Sequence, residues 1–406
     1  MTRGLGLLLC AAWALGCTAA EPAAKPGDAT TGAQTVSDVA AADGSGADAA
    51  QETASPADAQ GQDAGGTDAA GTSDAVAAPG DAVAAEDAVP TPVAKAMYGI
   101  NLADWKLNPK QEDTRCVIKR LDNEMVIYVQ AIHTKLNKGS HHLIVYKSNE
   151  TKEKLDPFPC NPFTETLSGG NVPLMITQIV EEKLQLPPGV AFKLEPKQMI
   201  RLEAHYLNYF PTDITAHADI EFLTLQPKDL KHEADLLFYG TPDFWLPKGK
   251  TTSTPWLYLD VWPDTKIFAL TGHTHKLGTN VQIALADDAT KSAAPLIYPG
   301  DKTYDWQEPP VTAFDPPLAF GKKQGLQYRC TWYNDTDKNV GFGESASKEM
   351  CFFWAYYYPS KGYRMCINPG PQAKQEATKA GFDIGDQICC PDSEMCGLIK
   401  LYLANL

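Results

Sequence analysis

From Ala96 to its last residue the chain offers no long segment with the 3.6-residue period of a helix. Short runs of β-branched and aromatic residues follow one another between turn signals instead. Met125-Val126-Ile127-Tyr128-Val129 and His142-Leu143-Ile144-Val145-Tyr146 are two such runs. Residues 199–207 alternate, with Ile200, Leu202, Ala204 and Tyr206 on one face and Arg201, Glu203, His205 and Leu207 on the other, polar face. Residues 266–270 and 281–285 flank a short polar stretch, and residues 351–358 are almost wholly apolar and aromatic. Turn clusters such as Asp156-Pro157, Leu186-Pro187-Pro188-Gly189 and Pro299-Gly300-Asp301 separate the runs. The pattern predicts an all-β fold of two tandem jelly-roll β-sandwich domains. The polar stretch from Gln226 to Lys231 sets the boundary, giving residues 96–228 and 229–365, with 366–406 as a Cys-rich tail.

The residues before Ala96 are of a different kind. Arg3, then Leu5, Leu7, Leu8 and Leu9, then Ala14-Leu15-Gly16-Cys17 read as a signal peptide over residues 1–16. Its apolar core is too short to span a bilayer as a mature helix. The sequence ending in Cys17 resembles a bacterial lipobox, which makes Cys17 a lipidation site. Residues 17–95 are rich in Ala, Gly and Asp and contain no aromatic residue, so they read as a disordered tether. Within residues 18–95, thirteen acidic residues face only Lys25 and Lys95, so most of the net charge of −15 belongs to this segment. The remainder is only mildly acidic, which argues against nucleic-acid binding. The expected location is the bacterial outer membrane, on the periplasmic or cell-surface side, with the lipid as the only membrane contact.

Eight cysteines lie beyond Ala96: Cys116, Cys160, Cys330, Cys351, Cys366, Cys389, Cys390 and Cys396. An even number in an exported chain reads as up to four disulfides. Adjacent Cys389 and Cys390 do not easily pair with each other, so each bridges elsewhere.

The chemistry-bearing residues are histidines. Of eight, five fall in three tight contexts: His141-His142, His205 and His273-Thr274-His275. At i and i+2, His273 and His275 share one face of a strand and reach one metal together. Adjacent His141 and His142 point to opposite faces of an ideal strand. They share a metal only if one ring reaches round or the strand bulges. With Met350 the chain offers a three-histidine set and a two-histidine-plus-thioether set. Imidazole and thioether ligands without a carboxylate suit copper cycling between Cu(I) and Cu(II). Three histidines also suit zinc, which the thioether argues against at the other set.

Five local motifs resemble those of the copper type II, ascorbate-dependent monooxygenases. They are His141-His142-Leu143-Ile144, Ala204-His205-Tyr206, the run from Thr271 through His273-Thr274-His275 to Gly278, Cys330 with Tyr333-Asn334, and Glu349-Met350-Cys351 leading to Tyr356-Tyr357-Tyr358-Pro359. They stand in the family's order, with 63 residues from His142 to His205, 68 from there to His273 and 75 from His275 to Met350. The resemblance spans Tyr98 to Pro359. It implies that His141, His142 and His205 hold an electron-donating copper, and that His273, His275 and Met350 hold the copper that meets O2. It also implies disulfides Cys330–Cys351 and Cys116–Cys160. The implied activity is hydroxylation of a C–H bond with O2, two coppers per chain and ascorbate or another one-electron donor. No catalytic side chain beyond the ligands is implied. Glu394-Met395-Cys396 repeats the Glu-Met-Cys pattern without the tyrosine-rich strand that should follow it.

Two departures bear on the substrate. Peptide-processing members carry an Arg where this chain has Thr271, and polar residues where it has Phe352 and Trp354. A peptidylglycine substrate is therefore not expected. An apolar or aromatic small molecule is. The competing readings are a non-enzymatic copper-binding lipoprotein, for storage or scavenging, and an adhesion protein on the same fold.

Overall fold

A computed structural model describes residues 94–161, 163–167, 170–287, 295–379, 381, 383–390 and 396. The signal peptide, Cys17, all but the last two residues of the tether and Glu394-Met395 lie outside the described residues. Strands account for nearly all the regular structure, so the fold is all-β. The longest helix among the described residues is Pro371–Lys379, and no helix there is long and apolar enough to cross a membrane.

The first half holds two sheets, antiparallel except for one short parallel pair at an edge. One has the order Met97–Leu107, Ile214–Leu225, Ile127–Leu136, Val190–Leu194, with Glu181–Gln185 also on Ile127–Leu136. The other runs Lys154–Pro159, Glu112–Arg120, Met199–Leu207, Ser140–Ser148, Asn171–Thr177. The polar stretch after Leu225 folds into a 3-10 turn, Pro227–Asp229. His232–Glu233 still pairs with Val190–Leu194, so the chain leaves the first half only at Ala234.

The second half is a six-stranded and a five-stranded sheet. The larger has the order Thr312–Ala319, Lys266–His273, Phe352–Tyr358, Asp235–Gly240, Arg364–Ile367, Ile388–Cys390. The smaller is built around Gly325–Tyr333 and Gly278–Ala286. The strands Arg364–Ile367 and Ile388–Cys390, lying mostly in the segment 366–406 set apart in the sequence as a tail, thus complete the larger sheet. Their apolar Met365-Cys366-Ile367 run pairs in parallel with Asp235–Gly240.

Period-2 alternation explains why Phe352–Tyr358 is apolar throughout. Phe352, Trp354, Tyr356 and Tyr358 belong to a core shared with the first half, whereas Phe353, Ala355 and Tyr357 face the core of the second half alone. Leu236 and Phe238 divide from Leu237 and Tyr239 in the same way. The central sheet of the second half is therefore buried on both faces, and one face seals against the first half. Four disulfides staple the fold: Cys116–Cys160, Cys330–Cys351, Cys366–Cys389 and Cys390–Cys396. All eight cysteines are engaged, so none is left as a thiolate ligand.

Candidate metal centre between the two halves

The histidine pair sits on Ser140–Ser148, whose partner is Met199–Leu207. Ser140 lies opposite Tyr206, yet His142 lies opposite His205, so the ladder slips by one residue at His141. Such a bulge turns consecutive side chains toward the same side. The rings of His141 and His142 come to 5.4 Å between centroids, and those of His141 and His142 lie 5.3 and 5.0 Å from His205.

The face of Met199–Leu207 that reads as polar is not a solvent face. Arg201, Glu203 and His205 are all buried, along with every other residue of the strand. Glu203 is satisfied there by the Tyr146 hydroxyl at 3.1 Å and the Phe163 N–H at 2.7 Å. Burial pushes its carboxyl up to about 7, against the pull of these donors.

His273 ends the strand Lys266–His273, and His275 lies beyond it in a turn. The two do not share a strand face, as the i, i+2 spacing suggests. Other contacts bring their rings to 5.2 Å. The Glu349 carboxylate accepts the His275 N–H at 2.9 Å, the Leu277 N–H at 2.7 Å and the Trp332 indole N–H at 3.0 Å. The His275 ring then donates Nδ1–H to the Lys348 carbonyl at 3.0 Å. Gly278 closes the turn, where a Cβ would lie 1.8 Å from the Thr274 Oγ1.

All five rings meet. Ligand-capable nitrogens of His141, His273 and His275 lie within 4.8 Å of one another, and so do those of His141, His142 and His205. His141 belongs to both triples. The rest of the hydrogen bonding fixes which nitrogen is bare. His205 donates Nε2–H to Glu112 at 2.9 Å, which leaves Nδ1 without a partner. His273 Nδ1 donates to the Gln178 carbonyl oxygen, and the Gln178 amide donates to the Gly272 carbonyl at 3.1 Å. This leaves His273 Nε2 bare, as are Nε2 of His275 and His141 and both ring nitrogens of His142. Phe163 covers the rings of His142 and His273, and Trp306 approaches His141.

A buried polar atom without a partner costs about 1–3 kcal/mol, and six converge here. A cation accepting the one lone pair of each ring would remove most of that cost, since one of the two His142 nitrogens carries the proton. The donor set of imidazoles, with no thiolate and no carboxylate in either triple, fits copper and also fits zinc. Burial, and then the neighbouring rings, holds His141, His142 and His273 well below the usual histidine value, and burial lowers His275 to about 4. The sign follows: protons compete for these lone pairs only below the lowered values. Copper affinity of the His141/His273/His275 triple should therefore fall less steeply below pH 6.5 than that of an ordinary exposed set of imidazoles. A competitor titration that shows affinity falling as steeply as for an exposed set would contradict this.

Met350 is buried, but its side chain lines a small cavity with Phe163, Phe238, Phe342, Phe352, Met365 and Glu344, and no histidine lines that cavity. Burial, followed by the nearby Glu203, pushes the Glu344 carboxyl up to about 8. Glu112, Gln178 and the Lys348 carbonyl had no signal in the sequence, since isolated polar residues carry no spacing. Glu349 stood in the Glu-Met-Cys motif without a role.

Residues 262–389 match the family model for the copper type II ascorbate-dependent monooxygenase, C-terminal domain. Over that stretch the chain is similar to this family's C-terminal domain. The matched span includes His273, His275 and Met350 and reaches into the strand Ile388–Cys390. No curated protein matches the chain. Among solved structures, the major capsid protein P2 of bacteriophage PM2 is 8% identical, with 64% of this chain and 100% of that chain covered at a TM-score of 0.29. A structure of infectious bursal disease virus Gt strain is 10% identical over 67% of this chain and 76% of that one, at a TM-score of 0.17. Broad bean stain virus gives 9% identity, 64% and 88% coverage and a TM-score of 0.22. Likeness at that level says nothing about function.

Proposed function

We propose that the chain is a copper monooxygenase that hydroxylates a C–H bond of a small apolar or aromatic molecule, using O2 and an external one-electron donor such as ascorbate. The observation that carries this reading is the convergence of five buried imidazoles from three separate motifs, with bare nitrogens close together. His141, His142 and His205 would hold one ion and His273 and His275 a second, which Met350 would complete only by turning its thioether out of the cavity that it lines. Bound copper would supply one-electron redox chemistry and a place for O2.

The protein's own residues do the rest. Glu112, Gln178 and the Lys348 carbonyl fix ring tautomers so that lone pairs face inward. Phe163 keeps water from two of the rings. The cavity beside Met350 has largely aromatic walls but is only water-sized, so a substrate would enter it only after the side chains around it move apart. Its Glu344, pushed up to about 8, is uncharged at neutral pH and presents a hydrogen-bond donor rather than a charge. This favours an uncharged substrate. Paired five- and six-stranded sheets in each half support reading both as jelly-roll sandwiches. Export and a lipid anchor at Cys17, facing the periplasm or the cell surface, are part of the same proposal.

The test is O2 consumption by the copper-loaded chain with ascorbate and a panel of apolar and aromatic compounds, beside a glycine-extended peptide. Turnover on the apolar panel supports the reading. Turnover confined to the peptide would refute the substrate class. Two bound coppers without any turnover would leave a copper-binding protein in place of an enzyme.

A further inference from the structure

Glu112 opens the strand Glu112–Arg120 in the first half, next to the strand that carries His205. Its Oε1 accepts the His205 Nε2–H at 2.9 Å. The same oxygen accepts the backbone N–H of Ala346 at 3.0 Å, and Oε2 accepts the Ser345 hydroxyl at 3.4 Å. Ser345 and Ala346 lie 233 and 234 residues further along, in the loop that ends at Met350. That loop orients the other histidine set: the Lys348 carbonyl fixes the His275 ring, and Glu349 holds the His275 and Leu277 N–H groups. A continuous line of hydrogen bonds and backbone therefore runs from His205 through Glu112 and residues 345–348 to His275.

We infer that Glu112 is a positioning residue that couples the two histidine sets, so that ordering one by a metal ion favours binding at the other. The inference rests on the copper reading above. The physical ground is that one carboxylate oxygen cannot move to suit His205 without dragging the Ala346 N–H with it. A change at either end is felt at both, and such coupling is reciprocal. The substitution Glu112→Gln would keep an acceptor oxygen for both N–H groups, whereas Glu112→Ala would keep none.

The experiment uses the full chain and Cu(I) alone, titrated against a chromogenic Cu(I) competitor. Glu112→Ala and Glu112→Gln are each made in the unmodified chain and in His205→Ala, which retains only the other set. Circular dichroism confirms that each variant is folded. In the His205→Ala background, Glu112→Ala should lower Cu(I) affinity by roughly 10-fold or more, within the range of lost outer hydrogen-bond partners. Glu112→Gln should restore most of it. Rescue by glutamine would show that the effect runs through the acceptor oxygen shared by the His205 and Ala346 N–H groups rather than through the charge. If Glu112→Ala leaves affinity in the His205→Ala background unchanged, Glu112 serves His205 alone and the coupling is overturned. An unmodified chain that takes no Cu(I) overturns the copper reading and this inference together, and so is told apart from the first failure.

Discussion

Replacing His141 by alanine is expected to cost the chain more copper than replacing any other single histidine. His141 is the one ring common to both triples, in each of which its ligand-capable nitrogen lies within 4.8 Å of the others. A neutral imidazole has one lone pair, so it serves one ion at a time. Removing it strips one set of a ligand and leaves the other without the ring that closes its far side. His142→Ala and His205→Ala each affect a single triple. The expected order of copper retained is therefore His141→Ala lowest, then His273→Ala, His275→Ala, His142→Ala and His205→Ala at similar levels. If the unmodified chain holds two coppers, His141→Ala should hold at most about one, with affinity for the remaining ion also reduced. Loss of a direct ligand should exceed the roughly 10- to 100-fold that an outer hydrogen-bond partner contributes. Elemental analysis with a Cu(I) competitor titration decides it. Equal loss in His141→Ala and His142→Ala would mean that the two triples are independent.

Much of this centre was legible in the sequence, and the reason is spacing. A bulge was foreseeable as the condition for His141 and His142 to face one point, because adjacent residues on a regular strand cannot. The ladder does slip there. The strand Met199–Leu207 has the bounds that its alternation predicts, yet the face bearing Arg201, Glu203 and His205 is interior. Alternation reports which residues share a face, not what covers it, and here the Tyr146 hydroxyl and the Phe163 N–H satisfy its carboxylate. His275 shows a similar limit. The i, i+2 argument assumes a strand, but the strand stops at His273, and a carboxylate 74 residues away sets the turn. The residues that join the halves, Glu112 and Gln178, make contacts at sequence separations of 234 and 95. No local pattern encodes partners that far apart. The same holds for residues 364–390, whose place at the edge of a sheet depends on a parallel partner near residue 237.

Glu349→Ala is expected to be the most destabilising single substitution near the centre that removes no histidine. The Glu349 carboxylate is fully buried and accepts three N–H groups, from His275, Leu277 and the Trp332 indole. Alanine leaves all three donors without a partner in a site closed to water, at about 1–3 kcal/mol each. The expected loss is about 3–5 kcal/mol of unfolding free energy, read from urea unfolding of the metal-free chain. Glu349→Gln keeps one acceptor oxygen but turns an amide toward a backbone donor, so it should fall between. The pH dependence has a definite sign. Burial raises the Glu349 carboxyl from its ordinary 4.5 to about 7, against the pull of its donors. The folded state thus favours the protonated form, and that contribution is present below pH 4.5 and fades as the pH rises toward 7. Glutamine does not titrate, so the stability gap between the unmodified chain and Glu349→Gln should be wider at pH 5 than at pH 7.5. A gap that widens with rising pH would mean that the three donors outweigh burial and hold the carboxylate ionised. Glu349→Ala equal to the unmodified chain would mean that the turn carrying His275 is held by something other than this carboxylate.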